Sequence, residues 1–327
     1  MSARPSVVVT RQLPAAVTDA LAAKYDVRLN RNDVPLTPEQ LTQVFRTTDI
    51  VLCTVTDKIA ASVFSGPMQT KLLANFGVGV NHIDRAAARA AGMQITNTPD
   101  VLTDDTADIA LALILMVMRR LGEGERYLRK GLWTGWKPTD LVGRSPHGKT
   151  LGIIGYGRIG RALARQATAA LGMHVIYHAP RDVRIDDPAS AGPPSAERVA
   201  TLEELLARAD VVSLNCPSTP ETRHLINADR LRQMKTTAYL VNTARGDIVD
   251  EYALAVALRD GVIAGAGLDV YEFEPTVVAD LMEMENTVLL PHMGSGTIET
   301  RTAMGMRALA NIDAFVAGHR PPDLVEF

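Results

Sequence analysis

Short apolar runs alternate with longer segments of helical periodicity along most of this 327-residue chain. SVVVT (Ser6–Thr10), DIVLCT (Asp49–Thr54) and LLANFG (Leu72–Gly77) read as strands, and PAAVTDALAAKY and TPEQLTQVFR between them read as helices. Such alternation marks βαβ units and a parallel sheet, so residues 1 to 98 are expected to form one α/β unit. The stretch Asp104–Gly131 is expected to be one long helix, capped by Asp104 or Asp105, with apolar residues nearly encircling its first half. Such a helix needs burial on several sides. WTGWKPTDLVGRSPHG (Trp133–Gly148) is irregular and carries prolines, so it reads as an arm.

A second series follows. TLGIIG, HVIYH, DVVSLN, AYLVNTA, AGAGLDV and TVLLPH read as the strands of a second parallel sheet, all but the last two separated by helical patterns. The pattern ETRTAMGMRALANIDAFVAG then runs as a helix towards the C-terminus and is expected to pack back on the first unit. DPASAGPPSAE (Asp187–Glu197) reads as a flexible surface loop. The fold class is therefore α/β, with two Rossmann-like, doubly wound parallel-sheet domains.

Length agrees with two domains, and 46% hydrophobic with 22% charged residues is globular composition. A net charge of -3 gives no electrostatic reason to expect nucleic acid or an acidic membrane surface as partner. The longest apolar run, IALALILMVM (Ile109–Met118), is too short to span a bilayer. Cys53 and Cys216 lie far apart, outside any metal-ligand spacing, which points to a reducing compartment and no metal. With a start that enters a strand pattern at once, a cytoplasmic location is expected.

Chemistry enters at TLGIIGYGRIGRALARQA. Gly155, Gly157 and Gly160 have GxGxxG spacing between an apolar strand and a good helix former. Gly155 suits the tight turn, Gly157 lets the backbone approach a pyrophosphate, and Gly160 allows helix and strand to pack closely. The phosphates would sit at the positive helix end. GVGVNH (Gly77–His82) and GAGLDV (Gly265–Val270) also hold GxG, but lack the third glycine and open no clear helix. They read as points of close backbone approach. Arg245, Glu274 and His292 each stand just past a strand, where ligand crevices of parallel sheets lie.

The chain resembles the D-isomer-specific 2-hydroxyacid dehydrogenase family, in particular its glyoxylate/hydroxypyruvate reductase branch. The match is carried by VTDKI, NFGVGVNHID, NTPDVLTDDTADIAL, WTGWKPT, GKTLGIIGYGRIGRALA, CPSTPETRHLI, NTARGDIVDE, AGAGLDVYEFEP and LPHMGSGT, in family order. The resemblance implies a discontinuous, flavodoxin-like substrate domain (residues 1–98 plus 293–327) with an NAD(P)-binding Rossmann domain (99–292) inserted. It implies Arg245 as the substrate-binding arginine, Glu274 as partner of the histidine and His292 as acid/base, with reduction of a small 2-keto acid to the D-2-hydroxy acid as the reaction. An imidazolium can deliver the proton, and a carboxylate beside it favours the charged form. An arginine fork can pair with the substrate carboxylate. Backbone N–H groups at Val78 and Gly79 would hold the carboxylate's other side, with Ser295 and Trp136 as further substrate contacts. For the cofactor, the resemblance implies Arg158 and Ile159 at the pyrophosphate. Cys216, Pro217 and Thr222 would lie along the adenosine half, and Thr106, Thr243, Ala244, Asp269 and His292 around the nicotinamide. It also implies a homodimer.

One stretch departs from the usual NAD pattern. In VIYHAPRD (Val175–Asp182), His178 or Ala179 stands where a ribose-binding acid is expected, about 20 residues past the fingerprint. Without that carboxylate a 2′-phosphate is not repelled, and Arg181 just beyond supplies a cation. NADP(H) is therefore the preferred cofactor, with NAD(H) possible. The alternatives within the family are a 2-ketogluconate or other 2-keto acid reductase. A different class is a dehydrogenase-like corepressor that binds partner proteins.

Overall fold

The computed structural model describes residues 4–180 and 192–326, in two compact units: Met1–Leu102 with Ser295–Phe327, and Thr103–Gly294. The first is built on β1 (Ser6–Val9), α1 (Ala15–Lys24), β2 (Asp26–Leu29), α2 (Pro38–Thr47), β3 (Ile50–Thr54), β4 (Leu72–Phe76), α3 (Arg85–Ala90) and β5 (Gln94–Thr96). Its five strands are parallel and run in the order β2-β1-β3-β4-β5, the flavodoxin-like arrangement. β3 and β4 are buried except at their last residue because helices cover both faces. On one face α2 starts with a Thr37/Gln40 capping box and sinks Leu41 and Phe45 into the core.

The second unit contains α4 (Thr103–Met118), α5 (Leu121–Arg129), β6 (Thr150–Ile154), α6 (Arg158–Leu171), β7 (His174–His178), β8 (Glu197–Arg198), α7 (Leu202–Arg208), β9 (Val211–Leu214), α8 (Ala228–Gln233), β10 (Tyr239–Asn242), α9 (Glu251–Arg259), β11 (Gly265–Leu268), α10 (Ala279–Glu283) and β12 (Thr287–Leu289). All seven strands pair in parallel, in the order β12-β11-β10-β9-β6-β7-β8. This is the Rossmann order with one added edge strand, and its switch point lies between β6 and β9. Two apolar clusters fill the two faces of this sheet. The last helix, α11 (Ile298–Val316), belongs to the first unit: Ala308, Leu309 and Ile312 join the cluster of Val17 and Leu21.

Several expectations change. The strands β2, β5 and β8 are short and were not legible as apolar runs, and α10 stands between β11 and β12. The long helix is two helices, with Arg120 at φ 54 between them. The break is made from a distance: Arg144 N–H donates to Met118 O at 2.7 Å, and a Cβ at Gly143 would lie 2.4 Å from that oxygen. The arm thus takes a carbonyl at the end of α4. The helix also begins at Thr103, so Asp104 and Asp105 fall in its first turn, where their charge suits the positive end. The loop expected at Asp187–Glu197 lies partly outside the described residues, and its last two positions touch or enter β8.

Candidate active site

The carboxyl ends of β6, β10, β11 and β12 carry most of the residues singled out in the sequence. At the end of β6 the glycine loop has the three distinct environments its spacing predicts. Gly155 has φ 89, and a Cβ there would lie 2.5 Å from Cys216 N. A Cβ at Gly160 would lie 2.5 Å from Gly155 O and 3.1 Å from the Ile153 side chain. At Gly157 a Cβ would meet nothing within 4 Å. Two glycines are thus required by packing, and the middle one faces open space. Gly157 is also the N-cap of α6 and contributes no side-chain cap. The first N–H groups of a 14-residue helix therefore open towards that space, which suits an anionic pyrophosphate.

Beyond β10, Asn242 locks the turn that holds Arg245: its Nδ2 donates to Arg245 O at 2.8 Å, and its Oδ1 accepts from Ala244 N–H at 3.0 Å. Arg245 Nη1 donates to Ala244 O at 2.6 Å. Burial lowers the Arg245 pKa, while the nearby Glu274 and Asp247 charges work the other way. The guanidinium still remains charged at any working pH. Thr243 is 8% exposed, and its hydroxyl has no hydrogen-bond partner among the described residues. An orphaned buried hydroxyl at the carboxyl end of a central strand fits a group that binds there.

Beyond β11 and β12 the remaining two residues meet. His292 Nδ1 lies 3.0 Å from Glu274 Oε2 and 3.2 Å from Oε1. Tyr271 N–H donates to Glu274 Oε1 at 3.1 Å. Burial alone would raise the Glu274 pKa, but the hydrogen bond and charge of His292 outweigh it and hold the carboxyl below its ordinary value. His292 sits at φ 54, and its N–H donates to Asp269 O at 2.8 Å. Asp269 is 1% exposed, and its two carboxylate oxygens accept from Met293 N–H at 2.6 Å and Gly294 N–H at 2.8 Å. Burial raises the Asp269 pKa, and these bonds only partly offset that. Asp269 therefore shapes the turn that presents the histidine. Thr106 Oγ1 closes the arrangement by donating to Gly294 O at 3.1 Å.

The other predicted residues have mixed settings. Arg158 is exposed and Ile159 half-buried in the first turn of α6. Cys216 is half-buried, with burial pushing its thiol up to about 11, and Pro217 is exposed. Thr222 Oγ1 donates to Pro217 O at 2.7 Å, so this hydroxyl organises its own loop. The His178 ring lies 3.4 Å from Val199 O. Arg181 lies outside the described residues. Trp136 is 82% exposed on the arm. Val78, Gly79 and Ser295 belong to the first unit. There Asn75 Nδ2 donates to Gly77 O and Gly79 O, each at 3.0 Å, and Asn97 Nδ2 to Val78 O at 2.9 Å. These asparagines, like Asn242, each open a motif that carries the resemblance, but their role could not be read from the sequence, because an amide's value lies in which carbonyl it reaches.

A seven-stranded Rossmann sheet with this glycine loop defines the class, a dinucleotide-binding α/β oxidoreductase. The model of the D-isomer specific 2-hydroxyacid dehydrogenase NAD binding domain matches residues 111–294. The chain is 40% identical over 324 residues to the glyoxylate reductase of Korarchaeum cryptofilum, covering 98% of this chain and 96% of that one. Among solved structures it is similar to a protein of Thermus thermophilus, with TM-score 0.89, 42% identity and coverage of 98% and 100%. It is also similar to the NADPH-dependent glyoxylate/hydroxypyruvate reductase of Sinorhizobium meliloti in complex with NADP and malonate, with TM-score 0.86, 32% identity and coverage of 99% and 97%. The chain belongs to the D-isomer specific 2-hydroxyacid dehydrogenase family, in its glyoxylate reductase branch.

Proposed function

We propose that this protein reduces glyoxylate and similar small 2-keto acids, hydroxypyruvate among them, to the 2-hydroxy acid with a nicotinamide cofactor, preferably NADPH. The observation that carries the reading is the His292–Glu274 hydrogen bond of 3.0 Å in the unit that also holds Arg245 and the glycine loop. When bound, the dihydronicotinamide supplies the hydride to C2 of the keto acid. His292 supplies the proton: with Nδ1 engaged by Glu274, Nε2 is the nitrogen left to donate to the carbonyl oxygen. Arg245 pairs with the substrate carboxylate, where its fork of donors also orients the ketone. Val78 and Gly79 offer backbone N–H donors, since Asn75 and Asn97 hold the carbonyls of that loop. Ser295 and Trp136 complete the proposed substrate contacts.

In this reading Thr103–Gly294 is the NAD(P)-binding domain and the other unit the substrate domain. Gly155, Gly157, Arg158, Ile159 and Gly160 hold the pyrophosphate, Cys216, Pro217 and Thr222 flank the adenosine half, and Thr106, Thr243, Ala244 and Asp269 surround the nicotinamide. NADPH preference rests on His178, Ala179 and Pro180 at the end of β7, none of which carries a negative charge to repel a 2′-phosphate. Two free cysteines, Cys53 and Cys216, suit a reducing cytoplasm. Exposed Leu128, Leu132, Trp133 and Trp136 on α5 and the arm suit a homodimer, which sedimentation would detect. The function is tested by following NADPH and NADH absorbance with glyoxylate, hydroxypyruvate and 2-ketogluconate. Turnover is expected with the first two, fastest with NADPH. Absence of turnover across the panel would overturn the enzyme reading in favour of a binding protein of the same fold.

A further inference from the structure

A second tier of carboxylates lies behind Glu274. Glu251, the first residue of α9, is 1% exposed, and its Oε1 accepts the Glu272 N–H at 2.6 Å. The Glu272 side chain is itself 5% exposed, and its Oε1 takes Arg223 at 2.8 Å and His224 at 2.9 Å. The next amide back along the chain, Tyr271 N–H, is the one that donates to Glu274. The Arg245 loop is pressed against the same two residues: a Cβ at Gly246 would lie 1.8 Å from Tyr271 C and 2.2 Å from Glu272 N. A single backbone segment is therefore held by α9 and by the loop before α8, while it donates to the carboxylate that touches His292.

Ordinary packing does not call for this arrangement. Burial raises the Glu251 pKa, and the Glu272 and Glu274 charges raise it further. Backbone hydrogen bonds from Glu272 and Val278 offset this only in part. A buried carboxyl next to two others costs stability, and an apolar side chain would fill the same space more cheaply. What the carboxyl adds is an acceptor of fixed direction, which an apolar group lacks.

We propose that Glu251 and Glu272 are positioning residues for the reaction, holding the Tyr271–Glu274 segment so that the Glu274 carboxylate stays aligned with His292 Nδ1. This rests on the roles given above to Glu274 and His292. Neither residue touches substrate or cofactor in this account. Both act through Glu274.

The test compares Glu251→Ala, which removes the acceptor, with Glu251→Gln, whose carbonyl oxygen can still accept the Glu272 N–H. The first readout is the low-field proton resonance of His292 Nδ1–H, identified by its loss in Glu274→Ala. It should broaden or vanish in Glu251→Ala and persist in Glu251→Gln. The second readout is kinetic: kcat for keto-acid reduction should fall about 10- to 100-fold in Glu251→Ala, with the NADPH dissociation constant unchanged within about twofold. Glu251→Gln should stay within about threefold of the unaltered protein. An intact resonance in Glu251→Ala overturns the proposal, even if the melting temperature drops, and so does equal impairment of the two variants. Should Glu251→Ala not fold, Glu272→Gln, which weakens the anchor to Arg223 and His224, gives the same readouts. If the unaltered protein turns over no keto acid, the enzymatic reading fails, while the resonance still decides the positioning.

Discussion

Each of the two sheets ends one strand on a Gly-X-Gly turn, and the two turns work in opposite ways. After β4, Gly77 has φ 156, a Cβ there would meet only Asn75 Nδ2 at 3.5 Å, and α3 does not begin until Arg85. After β6, Gly155 has φ 89, a Cβ would strike Cys216 N at 2.5 Å, and α6 begins at once with Arg158. The first turn is a loop whose carbonyls are tied down by asparagine side chains. The second is a helix N-terminus, with the partial positive charge of aligned peptides behind it. The dipeptide spacing is shared. The helix that follows without delay is what suits the second turn to a pyrophosphate.

The largest effect is expected where the second sheet carries chemistry. His292→Gln should lower kcat for glyoxylate about 10²- to 10⁴-fold by removing the proton donor. Cofactor affinity, measured by fluorescence titration, should hold within about twofold, because the glycine loop is untouched. Parallel loss of both would place His292 in the fold rather than the reaction.

The glycines split the comparison more finely. Gly155→Ala meets both a positive φ and a backbone wall, and should cost about 2–4 kcal/mol in denaturant titration. Gly157→Ala has φ -75 and open space, so its stability should match the parent while NADPH affinity falls about tenfold or more. Gly77→Ala should cost about 1–2 kcal/mol and leave NADPH affinity unchanged. A Gly157 variant that binds NADPH normally would remove the pyrophosphate from this loop.

A smaller effect is expected for cofactor choice. Arg181→Ala should raise the Michaelis constant for NADPH about tenfold and that for NADH less than about twofold. Equal changes would return Arg181 to the role of a surface charge.

The smallest effect concerns pH. Folding lowers the Glu274 pKa, so its link to His292 stabilises the protein above the unfolded carboxyl value and loses that contribution as pH falls through the lower, folded value. Glu274→Gln should therefore melt about 2 °C below the parent at pH 7, with the gap closing as the pH approaches 3. A gap that is constant with pH would mean that charge at Glu274 is not what stabilises the turn.

What could be read from the sequence was local. Alternating runs such as Asp49–Thr54 and Thr150–Ile154 exposed the parallel sheets because strands covered on both faces must be apolar throughout. The fingerprint glycines were legible because their spacing is local, and Gly155 and Gly160 meet their constraints within a few residues of chain or just past the adjoining strand. Arg245, Glu274 and His292 could be placed just past strand ends, their roles were expected by resemblance alone, and the meeting of Glu274 with His292 came only with the fold. Edge strands such as Asp26–Leu29, with charges at two of four positions, carry too little apolar signal to stand out.

By itself, then, the sequence determined the α/β class, the glycine turn between strand and helix and which side chains stand just past strand ends, since strand burial and glycine backbone freedom are properties of short segments. Only the tertiary structure decided where the helix after Thr103 stops, which carbonyls Asn75, Asn97 and Asn242 restrain, and that Glu251 grips the segment carrying Glu274. Each of these depends on a hydrogen bond whose strength lies in its direction. Direction between atoms distant along the chain is set by how the elements pack, which residue identity and spacing do not encode.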